Sequence, residues 1–249
     1  NMPYFISILF LIISFFAAPL VTIMIKPSTL LTSKILVFLT TAIVYIVFIR
    51  IWKIKIRFSQ TFSFRKCLTY ILLGLGIRYA HIIFFLLFPQ AGMSMYSKLG
   101  LEYYEALLDT FKNPFVFVYL SFLGPVLEEL FFRGKVLTAI QDKGGTTRAI
   151  IISALLFGIT HMNPVQFISA MCLGLLCGYV YTITNDIKAP IIIHIANNLS
   201  SQLEALTLDS YSEYNRSFYG IMFSIAIGIA FLAYGIRQCV LDKNKNLEH

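Results

Sequence analysis

Long apolar runs, each closed by a short polar or Pro/Gly-containing stretch, recur along the whole chain. Runs of about 18 or more such residues are long enough to cross a bilayer as helices. Eight spans are predicted: about Tyr4 to Ile25, Lys34 to Trp52, Cys67 to Phe88, Pro114 to Leu137, Thr147 to His161, Asn163-Pro164 to Thr184, Pro190 to Leu206 and Phe218 to Val240. Gly144-Gly145, inside the polar connection Gln141 to Arg148, marks a break. Pro190 suits the first turn of the seventh span. Three polar stretches stand between spans. Lys53 to Lys66 is basic, with Trp52, Phe58, Phe62 and Phe64 interleaved, and suits a helix lying in an anionic leaflet surface. Pro89 to Asn113 predicts an external loop with an amphipathic helix near Tyr96 to Phe111, and an acidic loop with Glu204, Asp209 and Glu213 precedes the last span. The fold class that follows is an all-α polytopic membrane protein of about eight transmembrane helices in one bundle. Residues 1–249 form a single transmembrane domain with its polar motifs in about 114–206.

Composition agrees. Of 249 residues, 58% are hydrophobic and 13% charged, and the mean hydropathy is +0.78, far more apolar surface than a soluble domain needs. The net charge of +8 sits in loops between spans, where the excess of Lys and Arg on cytoplasmic loops accounts for it, so no nucleic-acid partner is expected. The same bias places both termini in the cytoplasm and the chain in the plasma membrane. Cys67, Cys172, Cys177 and Cys239 form no CxxC pair and read as buried thiols rather than a disulfide framework or zinc knuckle. Asn1 and the closing Leu247-Glu248-His249 read as cloning remnants and carry no argument.

Charge inside the apolar runs is the first clue to chemistry. Glu128, Glu129 and Arg133 fall in the fourth span, where a charge costs about 2.5–3.5 kcal/mol at mid-bilayer and calls for a partner or a task. Glu129 and Arg133, at i and i+4, share a helix face in the favourable acid-before-base order, while Glu128 projects elsewhere. The pair reads as a structural ion pair and Glu128 as a general base or acid. Arg78 and His81 in the third span read as a snorkelling arginine and a structural histidine. His161 ends the fifth span, and His194 shares a face with Asn198 in the seventh, with Asn197 rotated away. Such a set can activate water, Glu128 as base and His161 as second holder, with His194 and Asn198 donating to a developing oxyanion. It can equally hold zinc through Glu128, His161 and His194, although no His-Glu-x-x-His motif supports this locally. Counted at about 1.5 Å per residue from the predicted span ends, Glu128 and His161 fall at different depths.

Glu128-Glu129-x-x-x-Arg133, Phe157-x-x-x-His161 and His194-x-x-x-Asn198, in that order on successive apolar segments, resemble the three-motif signature of the CAAX protease and bacteriocin-processing family, known as CPBP or Abi. The resemblance covers roughly Phe122 to Leu206. It implies an eight-helix intramembrane endopeptidase with a conical cavity open to cytosol and lipid. Glu128 and His161 would activate the attacking water, His194 and Asn198 would form the oxyanion site, and Glu129 with Arg133 would support them. A metal-free mechanism is preferred, with zinc as the alternative. The implied substrate is a peptide or membrane-protein segment: a peptide pheromone, a bacteriocin precursor or a CAAX-like tail. Two rival readings are a non-catalytic immunity or kinase-regulating scaffold of the same fold, and a small proton-coupled transporter, for which no internal repeat is found.

Overall fold

A computed structural model of the chain describes residues 2–59, 62–80, 83, 112–161, 164–206 and 218–245. Among these the regular elements are helices: α1 (Met2–Ile25), α2 (Leu30–Ile51), α3 (Phe64–Ala80), α4 (Pro114–Gly144), α5 (Thr146–Ile159), α6 (Pro164–Thr184), α7 (Lys188–Leu206) and α8 (Phe218–Lys245). Five of them, α1, α2, α4, α6 and α8, are long and apolar enough to cross a membrane, and α5 is a shorter apolar helix. The protein is an all-α polytopic membrane protein. Of the loop expected at 89–113 only residues 112 and 113 are described, Glu204 of the expected acidic loop falls in α7, and 207–217 and His81 lie outside the described residues.

Local chemistry explains the helix ends. Thr29 caps α2, its hydroxyl accepting from the Thr32 N–H while the Thr32 hydroxyl accepts from the Thr29 N–H. Asn113 caps α4, accepting from the N–H groups of Phe115 and Val116, with Pro114 at the first helical position. Asp186 accepts from the Lys188 N–H at the start of α7. Between α4 and α5 stands one residue, Gly145, at φ +83°, a conformation that L side chains rarely adopt.

The chain forms two compact units, Asn1–Thr61 with Leu123–Ile191, and Phe62–Phe122 with Ile192–His249, so the boundaries fall inside α4 and α7. The first unit packs an aromatic core. Phe10 of α1 stacks on Phe131 of α4 at 3.9 Å, with Tyr45 and Phe48 of α2 and Trp52 around them. The second unit packs through small residues. Gly76 of α3 lies against Gly228 of α8, where an added Cβ on either would meet the other's carbonyl oxygen at about 3 Å. Gly235 leaves room for Leu73 in the same way, the close helix approach that small residues permit in lipid.

The basic stretch after α2 is not a surface helix. Residues 53–59 are extended, Lys53 and Lys55 outward and Ile54 and Ile56 inward, and the segment straps across α4, α6 and the start of α7. Lys135 Nζ donates to the Ile54 carbonyl at 2.6 Å, Ile187 N–H to the Arg57 carbonyl at 3.0 Å, and Lys188 Nζ to the Ser59 carbonyl at 2.9 Å. These bonds use the strap's own carbonyls, which a helix would have turned inward on itself. The cysteines differ too from expectation: Cys177 and Cys239 are buried, but Cys67 is half-buried and Cys172 exposed. An apolar surrounding removes the need to bury a thiol. Arg78 is half-buried on α3.

Candidate active site

In the first unit the glutamate motif sits on α4 where the helix changes gauge. Two segments, Tyr119–Leu123 and Phe132–Leu137, widen to π-type i→i+5 turns, which weaken the regular ladder and recur at functional sites. Carbonyls in these turns take bonds from side chains. In the second segment Ser153 Oγ of α5 donates to the Phe132 carbonyl at 3.0 Å, and Thr138 Oγ1 donates to the Arg133 carbonyl at 3.1 Å.

Glu129, between the two wide segments, and Arg133, in the second, meet as the i,i+4 spacing requires, Arg133 Nη1 donating to Glu129 Oε1 at 3.0 Å with both side chains wholly buried. Cys177 lies beside them, its thiol directed at the Pro190 carbonyl. Glu128, next along the chain, is half-buried. The Arg133 guanidinium also lies over the Phe157 ring, 4.8 Å from its centroid, a favourable cation–π geometry. Phe157 in turn stands edge-on to His161, ring centroids 5.0 Å apart. Its carbonyl oxygen is 3.1 Å from His161 Nδ1. A carbonyl can only accept, so Nδ1 is the donor, and in the neutral ring the lone pair is on Nε2. The structure thus joins Glu129, Arg133, Phe157 and His161 into one chain of contacts across α4 and α5.

The depth conflict disappears once the helix ends are known. α4 continues to Gly144 rather than ending near Leu137, and α5 starts at Thr146. Glu128 stands 17 residues before Gly145 and His161 16 after it, so both lie roughly 25 Å from the turn at about 1.5 Å per residue.

The remaining two candidates belong to the second unit. His194 is buried on α7, and Asn198 follows one turn later. Asn198 Nδ2 donates to the Leu120 carbonyl at 3.0 Å, and its Oδ1 accepts from Asn197 Nδ2 at 3.1 Å. Leu120 lies in the first wide segment of α4, so that turn provides the acceptor that holds Asn198. One Asn198 amide proton is therefore engaged and the other keeps donor capacity. Sequence reasoning missed Leu120, Ser153, Thr138 and the carbonyl of Phe157, because a backbone acceptor and a small hydroxyl leave no mark in an apolar run.

Residues 110–200 match the family described as Rce1-like, type II CAAX prenyl endopeptidase Rce1-like, and this stretch contains every motif residue named above. The matched stretch is similar to the CAAX endopeptidases. It is 32% identical over 134 residues to YdiL, a Bacillus subtilis (strain 168) membrane protein designated a peptidase, covering 51% of this chain and 55% of that one. It is 35% identical over 96 residues to the membrane-embedded CAAX protease MroQ of Staphylococcus aureus (strain USA300), covering 35% of this chain and 38% of that one. The chain thus spans about half the length of the first relative and less of the second. No solved structure matches significantly. As for the zinc alternative, no three His, Cys, Asp or Glu side chains among the described residues are grouped to hold one ion. Of the three proposed ligands, Glu128 and His161 belong to the first unit and His194 to the second.

Proposed function

We propose that this protein is an intramembrane endopeptidase that hydrolyses a peptide bond in a short amphipathic or membrane-associated segment, the class of a peptide pheromone, bacteriocin precursor or CAAX-like tail. The observation that carries the reading is the bond from His161 Nδ1–H to the Phe157 carbonyl. It leaves Nε2 as an acceptor, level along the α4–α5 pair with Glu128. In the reaction proposed, His161 Nε2 accepts one hydrogen bond from water and the Glu128 carboxylate takes a proton as the water oxygen attacks the scissile carbonyl carbon. The carbonyl oxygen becomes an oxyanion, for which His194 and Asn198 are the donors. Glu128 then hands its proton to the leaving nitrogen, the C–N bond breaks, and a carboxylic acid and an amine are formed, the acid's proton passing to the amine so that a carboxylate and an ammonium depart. Glu129 and Arg133 hold the arrangement by packing. A lone pair on Nε2 would serve equally as a zinc ligand, with metal lowering the pKa of bound water.

The test is mass spectrometry of amphipathic precursor peptides incubated with detergent-purified protein, Glu128→Gln as the paired control and a chelator arm alongside. Cleavage by the wild type that disappears in the folded variant, and survives chelation, is expected. Identical fragments from both proteins would point to a contaminating protease and sink the catalytic assignment, and silence from both would favour the scaffold reading. Loss of cleavage on chelation alone, restored by zinc, would move the mechanism to the metal.

A further inference from the structure

We infer that Gly174, in the middle of α6, is a positioning residue for His161; the inference rests on the reading of His161 as a holder of the attacked water. Gly174 lies where a Cβ would come 3.0 Å from Arg133 Nη2 and 3.1 Å from the Cα and Cβ of Ala154. Both neighbours lead to the same imidazole. Arg133 is wholly buried, with Nη1 on Glu129, and neither its Nε nor its Nη2 has a hydrogen-bond partner among the described residues. The position of the guanidinium is therefore set by the Glu129 contact, by the Phe157 ring below it, and by the space that Gly174 leaves beside Nη2. Phe157 orients His161 twice, through its ring edge and through its carbonyl. Ala154 sits one turn before Phe157 on α5 and is completely buried, so a side chain pressing on it shifts the turn that carries Phe157.

An added methyl at position 174 has to displace either the guanidinium, which touches Glu129 and Phe157, or the α5 backbone one turn before Phe157, so both displacements bear on Phe157. Gly178, one turn further along α6, provides the contrast. The nearest atoms to its Cβ would be side-chain ends of Ile150 and Leu137 at 3.2 Å, not Arg133 or Ala154. Two glycines on one helix face thus hold α6 close to α5, and only one of them bears on the histidine.

The experiment compares Gly174→Ala with Gly178→Ala in detergent by two readouts. The first is the NMR spectrum of the protein labelled with ¹⁵N-histidine, which reports the Nδ1–H tautomer and the hydrogen bond of His161 without any substrate. The second is kcat and KM for a peptide that the wild type cleaves. Gly174→Ala is expected to move the His161 resonances and to lower kcat about tenfold or more with KM within about twofold, the cost of a misplaced reacting group. Gly178→Ala is expected to do neither. In an Arg133→Lys background, which lacks Nη2, Gly174→Ala should add much less to the loss in kcat. Unmoved His161 resonances in folded Gly174→Ala, or equal shifts from both alanines, would overturn the inference. If Gly174→Ala alone does not fold, Gly174→Ala/Ala154→Gly removes the contact with the Ala154 Cβ and leaves those with the position-154 Cα and Arg133, and the same resonances decide. Absence of cleavage by the wild type would remove the protease reading, while the NMR arm would still confirm or refute the link from Gly174 to His161.

Discussion

A carbonyl oxygen 3.1 Å from His161 Nδ1 makes that nitrogen the donor, so in the neutral ring the lone pair is on Nε2. The partner of His161 in the proposed chemistry, Glu128, gives the simplest prediction at this scale. Glu128→Gln keeps the shape and should reduce cleavage by about 10²–10⁴-fold, the usual contribution of a general base, with an unchanged thermal melt. Glu129 should behave in the opposite way. Because its ion pair with Arg133 is wholly buried, Glu129→Gln leaves a buried guanidinium without its counter-charge and should destabilise the fold by roughly 3–5 kcal/mol, read as a lower Tm in detergent. Removing both charges as Glu129→Leu/Arg133→Met should recover much of that loss; a double variant no more stable than the single one would contradict it. The distinction between the two glutamates was legible in the sequence, because i,i+4 spacing assigns Arg133 to one of them. Gly174 was not legible, since a glycine in an apolar run looks the same whether it faces lipid or a guanidinium.

At the scale of elements, two features depart from regular helix patterns, and both place backbone carbonyls where side chains can use them. The first is the pair of wide turns in α4. Asn198→Leu should leave the Leu120 carbonyl without its donor, costing about 1–3 kcal/mol in thermal unfolding; an unchanged melt would mean that the bond carries no stability. The second is the extended strap at 53–59. Lys135→Met removes the donor to the Ile54 carbonyl, and limited trypsin digestion should then cut faster at the exposed Lys53 and Lys55 than in the wild type. Apolar periodicity foretold where most helices begin and end, because Asn113-Pro114, Gly144-Gly145 and Asn163-Pro164 punctuate the runs with residues whose backbone preferences are strong. It did not foretell the strap or the wide turns. A basic, aromatic-rich segment suits a leaflet surface as well as it suits a row of buried acceptors, and a π-type turn is written only in tertiary contacts.

For the molecule as a whole, the basic loops argue for both termini on the cytoplasmic side. Reporter fusions provide the check: green fluorescent protein should fluoresce at either end and alkaline phosphatase should be inactive at both, whereas opposite behaviour at the two ends would mean an odd number of crossings. The all-α membrane class was legible from hydropathy alone, since mean hydropathy and run length depend on no tertiary contact. How the chain divides into units was not, because the boundaries fall inside two helices, α4 and α7, where nothing in the sequence changes character. Within the first unit, the level placement of Glu128 and His161 depends on a single residue of connection. Gly145 is at φ +83° and ψ +163°, and a Cβ built there would meet nothing within 4 Å. Space is therefore no obstacle at this turn, and only handedness is. A D-alanine introduced at 145 by chemical ligation would occupy the native backbone without strain and restrict the unfolded chain, raising stability by about 0.4–1 kcal/mol, where L-alanine would lower it. The chirality of one residue thereby becomes a dial on the stability of the α4–α5 hairpin that involves none of the motif side chains.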